Sequence, residues 1–385
     1  MLAANLLRRD GEETRVTNIE LFFDLVYVFA VTQLSHQLVT RATVVGAFQT
    51  LLLLAMVWLV WVYTTWVTNW LDPQRIPVRL MLLVLMFAGL VLSAGIPHAF
   101  GDRGLWIGGA YAVMQIGRSV FTVAGLTDER LRLNFERILV WCVLSGALAV
   151  AGGFAHGGAR AAFWVAAVAI DLVGGAVGFY TPGLGRSTTA DWTISGSHFA
   201  ERCQAFILIA LGESVVAIGS TVARLPDVTG AEIGVFVAAF AGVAALWWIY
   251  FDRSAEAGAQ IVAESSDPGR LGRSAYHLIH PIMVAGIIVT AAADERVLAE
   301  PTVTSSVSTA YLVLGGTALF LAGHAAFKAT VWRIVPWSRL AAIAVLGLLG
   351  IVATSISALA LGAATSAVVV ALAVTDRVFP AADPT

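Results

Sequence analysis

Glu20 and Asp24 stand four residues apart in the run Ile19-Glu20-Leu21-Phe22-Phe23-Asp24-Leu25-Val26-Tyr27-Val28-Phe29-Ala30, surrounded by apolar side chains. At helical spacing both carboxylates project from one face. A charge inside a bilayer helix costs about 2.5–3.5 kcal/mol on insertion scales and is kept where it is paired or used. Other ionisable residues interrupt later apolar runs: Arg118, Asp171, Glu201 with Arg202, Glu213, and His277 with His280. Carboxylates in low dielectric can hold a proton, and histidines can relay one. The chemistry these residue types allow is proton or cation handling within a membrane. Carboxylates and histidines at shared depth could also act as general acid and base.

Depth at about 1.5 Å per residue sorts these groups into two layers. Asp24 falls about 9 Å from the start of its run, and Arg118 and His280 come out at similar depth. This layer predicts an Asp24–Arg118 charge pair, with His280 as a relay and His277 on the same face. Glu20, Glu201 and Arg202 lie nearer the interface, where solvent or a helix cap would satisfy them. Asp171 and Glu213 fall near mid-membrane, and Glu213 is the leading candidate for a proton or cation carboxylate. Ala205, Gly212 and Gly219 recur every seven residues. Such a small-residue stripe predicts a tight helix crossing beside Glu213.

The elements that must position these groups are membrane helices. The chain has 385 residues, 58% of them hydrophobic and 12% charged, against about 25% charged in soluble domains. A 30 Å hydrocarbon core needs about 20 apolar residues as a helix. About twelve runs qualify: 18–40, 44–70, 78–98, 104–124, 136–154, 161–180, 198–222, 231–251, 273–293, 307–327, 339–357 and 360–376. The last two come from one stretch, too long for a single span, divided near Gly362. The first run is too long for a signal peptide and carries two acids, so it is read as a retained helix.

Most of the 23 basic residues fall on one side of this layout. Arg8, Arg9 and Arg15, Arg75 and Arg79, Arg130 and Arg132, Arg253, Arg270 and Arg377 are among them. Arg41, Arg103, Arg160, Arg224 and Arg296 lie on the other. The positive-inside rule then puts both termini in the cytoplasm.

The runs also repeat. Glu20 and Glu201 each open a span; Trp61-Val62-Tyr63 matches Trp248-Ile249-Tyr250; Arg79 matches Arg273; Ala110-Tyr111 matches Ala310-Tyr311. The offset widens steadily along the chain. The expectation is an all-α integral membrane protein of two parallel six-helix repeats, 18–180 and 198–376, between a cytoplasmic N-terminal segment, 1–17, and a tail, 377–385. Parallel repeats recur in transporters, with the working site where the halves meet.

The motif inventory narrows the function classes. There is no Walker motif, HExxH, CxxC or acidic DDxxD pair, and the two cysteines, Cys142 and Cys203, form neither a disulfide framework nor a metal site. No cofactor, metal or nucleic acid is expected. The partners expected are the lipid bilayer, a small ion or small-molecule substrate, and a second copy of the chain as a homo-oligomer. Transport leads. An intramembrane enzyme acting on a lipid or isoprenoid, and a membrane sensor or assembly factor, are the alternatives.

Two segments resemble the bacterial low-temperature-requirement A family: Arg15-Val16-Thr17-Asn18-Ile19-Glu20-Leu21-Phe22-Phe23-Asp24-Leu25-Val26, and His198-Phe199-Ala200-Glu201-Arg202 followed by Leu208-Ile209-Ala210-Leu211-Gly212-Glu213-Ser214. The resemblance implies a bacterial inner-membrane protein linked to growth in the cold. Glu20, Phe23, Asp24, His198, Glu201, Arg202, Gly212 and Glu213 are the matching positions. The first segment is also similar, more distantly, to the first-helix signature of two-repeat lysosomal potassium and proton channels. That likeness implies spans one and seven as the central helices. Phe23 stands here where the signature has serine, and Ala205 falls where the second half of those channels has aspartate.

Overall fold

The computed structural model describes residues 6–8, 15–188, 194–252 and 254–378. Arg9, Arg253 and the tail beyond 378 lie outside the described residues. Eleven described helices are long and apolar enough to cross a membrane, and no strand occurs among the described residues. The molecule is an all-α membrane protein.

The helices are α1 (Asn18–Thr40), α2 (Val44–Trp70), α3 (Ile76–Gly95), α4 (Gly104–Ala112), α5 (Arg118–Gly125), α6 (Glu129–Phe154), α7 (Gly157–Ala176) and α8 (Gly196–Arg224). There follow α9 (Gly230–Phe251), α10 (Ser254–Ala263), α11 (Pro268–Leu271), α12 (His280–Ala299), α13 (Val307–Val331), α14 (Trp337–Val352) and α15 (Ala358–Val378). Between α4 and α5 the chain stays helical but is wound as a π-turn over Val113–Gly117, so 104–125 makes one further continuous run. A second π segment, Gly272–Ile279, leads into α12. There Pro281 lacks the amide a regular helix needs and crowds the carbonyl four residues back.

Two compact units divide the chain. Unit 1 is Met1–Leu34, Phe48–Arg202 and Ser266–Arg270; unit 2 is Ser35–Ala47, Cys203–Ser265 and Leu271–Thr385. The division falls inside α1, α2, α8 and α11.

Within unit 1, Gly108 of α4 lies against the backbone of Ala149 in α6, where any side chain would collide with the Ala149 carbonyl. Arg160, expected in an exposed loop, is instead 2% exposed. Its guanidinium donates to the carbonyls of Ala99 and Gly101, both at 2.6 Å, and of Ala155 at 2.9 Å. The α3–α4 connection (Ala99, Gly101) and the α6–α7 turn (Ala155) leave those carbonyls without helical partners, and one arginine satisfies them.

Within unit 2, α12 and α13 pack through glycine: a Cβ on Gly286 would strike the backbone of Phe320. The last apolar stretch breaks at 353–357, not near Gly362. Its physical reason is non-local. The amide of Ser305 donates to Ile356 at 2.9 Å, and those of Ala358 and Leu359 donate to Val303 and Pro301, both at 2.9 Å. The Ser357 hydroxyl then accepts from the Ala360 amide at 3.2 Å and starts α15. The expected crossing along the Ala205, Gly212, Gly219 stripe is not found: among the described residues nothing lies within 4 Å of a Cβ on Gly212 or Gly219.

The glycines separate into two kinds, which thermal unfolding in detergent can distinguish. Gly286→Ala is expected to cost about 1–3 kcal/mol by overpacking. Gly315→Ala, where a Cβ meets open space, is expected to be neutral or slightly stabilising. Equal losses at both positions would contradict the packing described.

Candidate functional site

Helix α1 starts with Thr17 and Glu20 facing each other. The Glu20 carboxylate accepts from the Thr17 amide at 3.0 Å and from its hydroxyl at 2.8 Å, capping the first turn. Glu20 is nevertheless fully buried, as are Asp24, His198 and Arg202. Arg202 of α8 binds Asp24 through two nitrogens: Nε to Oδ2 at 2.9 Å and Nη2 to Oδ1 at 2.6 Å. Its third nitrogen donates to Glu20 at 3.0 Å and to the Thr68 hydroxyl at 3.2 Å. This planar fork matches a carboxylate in a way a lysine cannot. Phe23 and Trp61 flank the guanidinium, each ring centre 5.9 Å away. The Trp61 indole also donates to Asp24 at 2.7 Å.

The surrounding groups hold His198 and the start of α8 in place. The Asn69 amide holds the Ser195 backbone from both sides: its oxygen accepts from the amide at 2.8 Å and its nitrogen donates to the carbonyl at 3.0 Å. The same amide nitrogen lies 3.3 Å from His198 Nδ1. Nδ1 therefore faces a donor, while Nε2 lies between the Glu20 carboxylate at 2.9 Å and the Arg8 guanidinium at 3.1 Å. Arg8 reaches Glu20 at 3.4 Å from a segment tied to α2, its backbone amide donating to Trp70 at 2.8 Å. Burial draws the Arg8 pKa below its ordinary value, and the charge of Glu20 opposes that shift.

Asp24 thus pairs with Arg202, and the expected Asp24–Arg118 pair is not formed. Glu20 and Arg202 are buried, not solvated at an interface. Glu201, by contrast, is exposed, and accepts from the Val16 amide at 3.3 Å.

Arg118 belongs to a second buried group in unit 1. It donates to the Val60 carbonyl and the Thr64 hydroxyl, both at 3.3 Å, and to the Gln115 side-chain oxygen. The Tyr63 ring lies 5.3 Å from its guanidinium. Gln115 then turns its amide nitrogen to Asp171 Oδ2 at 2.5 Å, and the Tyr111 hydroxyl donates to the same oxygen. Asp171 is 2% exposed, and its Oδ1 has no hydrogen-bond partner among the described residues. The π-turn matters here: Gln115 lies within it and Arg118 directly follows, a placement frequent at functional positions.

In unit 2, His280 is fully buried. Its Nδ1 faces the Ala275 carbonyl at 2.9 Å and therefore carries the hydrogen. Its Nε2 accepts from the Tyr250 hydroxyl at 2.8 Å. Both ring nitrogens are thus engaged, one by a peptide carbonyl and the other by the Tyr250 hydroxyl. His277 is half-buried, and the π winding removes the shared face expected of the two histidines. Glu213 is buried at 5% exposure, and the neighbouring Gly212 is exposed. Two further polar residues went unread in the sequence. Gln115 carries no charge to mark it. Asp294 heads a charged Asp-Glu-Arg run taken for a loop, but α12 continues to Ala299.

No group of three or more histidine, cysteine or acidic residues able to hold a metal occurs among the described residues. Both cysteines are buried, and neither forms a disulfide.

An all-α bundle with buried charge networks inside its spans defines a polytopic membrane protein. The bacterial low temperature requirement A protein family model matches residues 15–374, and the chain belongs to that family. It is 34% identical over 343 residues to an uncharacterized protein of Rhizobium meliloti, covering 89% of this chain and 84% of the relative. No solved structure matches it.

Two substitutions test the Glu20–Asp24–Arg202 group by thermal unfolding in detergent. Trp61→Phe removes one donor to Asp24 and is expected to cost about 1–3 kcal/mol. Asn69→Ala releases both Ser195 and His198 and is expected to cost at least as much. Unchanged unfolding in both would mean these bonds do not form.

Proposed function

We propose that this chain is a proton- or cation-linked transport or permeation protein of the bacterial inner membrane, serving growth at low temperature. In this reading both termini are cytoplasmic, and the two six-helix repeats, 18–180 and 198–376, build the protein. The observation that carries the proposal is Asp171. One of its oxygens is held by two neutral donors, Tyr111 and Gln115, while the other has no partner among the described residues. The nearest counter-charge in this network, Arg118, is one side chain away through Gln115. A carboxylate stabilised by neutral donors, with a free oxygen and an indirect cation, is suited to take up and release a proton or small cation. The Asp24–Arg202 pair is different in kind: both of its carboxylate oxygens are engaged, so it holds structure. Glu213 is a second exchangeable carboxylate in this reading, and Glu20, Glu201, His277 and His280 have supporting roles.

The test is flux in liposomes containing the purified protein, recorded for protons and for potassium. Wild type is expected to conduct at least one of them. Asp171→Asn is expected to reduce that flux by at least about tenfold, the effect of losing one charge-assisted interaction. Gln115→Leu is expected to reduce it as well, by cutting the link to Arg118. Glu213→Gln measures the contribution of the second carboxylate. Full flux in Asp171→Asn would contradict the assignment, and no flux in wild type would contradict transport of these ions.

A further inference from the structure

Helix α12 ends at Ala299, and Asp294 sits in its last turns, beside a small cavity within unit 2. The cavity volume is ≈ 20 Å³, enough for about one water-sized occupant. Its lining is rich in oxygen: the Asp294 carboxylate, the hydroxyls of Thr290, Thr317 and Thr365, and that of Ser366. Three of these groups are buried with no hydrogen-bond partner among the described residues: Asp294 Oδ2, Thr290 Oγ1 and Thr365 Oγ1. Thr365 is only 4% exposed. The Thr317 hydroxyl gives its hydrogen to the Val313 carbonyl at 3.4 Å, which leaves its lone pairs for another partner. Asp294 makes no ion pair among the described residues.

Buried polar atoms left without partners are costly, by about 1–3 kcal/mol each. Several of them around one water-sized cavity describe a missing ligand more simply than several independent defects. The donor set selects the ligand. Carboxylate and hydroxyl oxygens suit a hard cation. One carboxylate supplies one negative charge, which balances a monovalent ion and falls short of what calcium sites usually provide. Gly242 keeps the floor open: a Cβ there would lie 2.8 Å from Ser366 Oγ and push the hydroxyl aside.

The geometry points to a sodium-binding site at this cavity, with Asp294 as the charged ligand and the hydroxyls of Thr290, Thr317, Thr365 and Ser366 as neutral ligands. The site goes beyond the transport reading and stands without it. A bound sodium ion joins α12, α13 and α15 whether or not any ion crosses the membrane.

Equilibrium binding of radioactive sodium to the full-length protein in detergent tests the site. Thermal unfolding in sodium chloride against N-methylglucamine chloride, at equal ionic strength, gives a second readout. Wild type is expected to bind sodium and to unfold at a higher temperature in its presence. Asp294→Asn is expected to weaken binding by at least about tenfold and to abolish the sodium-dependent shift. Glu300→Gln, exposed just beyond the same helix end, is expected to behave as wild type. Should Asp294→Asn fold poorly, Thr365→Val decides, with weakened binding expected. Wild type without sodium dependence would mean that the cavity holds water only. Either Asp294→Asn or Thr365→Val binding sodium as tightly as wild type would equally overturn the site. These outcomes are read without flux, so they stand or fall separately from Asp171.

Discussion

The arrangement of unit 1 depends on a single guanidinium. Arg202 is fully buried and holds Asp24 through two nitrogens and Glu20 through a third. Three charges removed from water impose a large desolvation cost, and a buried ion pair by itself is weak evidence for stability. What this one supplies is position. Its geometry fixes the first turns of α1 against the start of α8, while Thr68 and Trp61 bring α2 to the same point. Removing Arg202 leaves Asp24 buried without its cation.

From that anchor, α2 carries the argument deeper. Trp61, Thr68 and Asn69 serve the Arg202 group, and Tyr63 and Thr64 serve the Asp171 group. The two groups differ in the way that matters for chemistry. Around Asp24 every acceptor is engaged and charge meets charge directly. Around Asp171 the donors are neutral, the cation is one residue removed, and an oxygen remains unengaged. In the proposed function the first stays as it is, and the second is the one that changes state. The π-turn at Val113–Gly117 accompanies the second group, so the irregular backbone falls beside the adaptable chemistry and not beside the anchor.

Much of this was legible in the sequence, because membrane helices announce themselves by length and hydropathy and their buried charges by contrast. Glu20, Asp24, Arg202, Asp171 and Glu213 were all readable as buried or motif residues. What sequence could not supply was azimuth. Depth along an axis placed Arg118 level with Asp24, yet depth does not say which way a side chain turns, and Arg202 occupies the place assigned to it. The helix break at 353–357 was read a few residues late, because its cause is the distant segment 301–305, which hydrogen-bonds to it. Gln115 was missed because an uncharged amide costs too little to stand out. Asp294 was missed because a charged triplet resembles a loop, and only the fold shows the helix running on past it. Arg160 was missed for a related reason: the carbonyls it gathers from Ala99, Gly101 and Ala155 come together only in three dimensions.

The central claim, that Arg202 holds unit 1 by compensating two buried carboxylates, is tested most directly by a mutant cycle on unfolding free energy in detergent. Arg202→Met alone should cost about 3–5 kcal/mol, because it leaves Asp24 buried without a cation and Glu20 with only Arg8 and His198 beside it. Arg202→Met combined with Glu20→Gln and Asp24→Asn should recover most of that loss, because neither buried carboxylate is then left charged. A loss in the triple variant equal to the sum of the separate losses would contradict the account, for it would mean that the three residues stabilise the protein independently of one another.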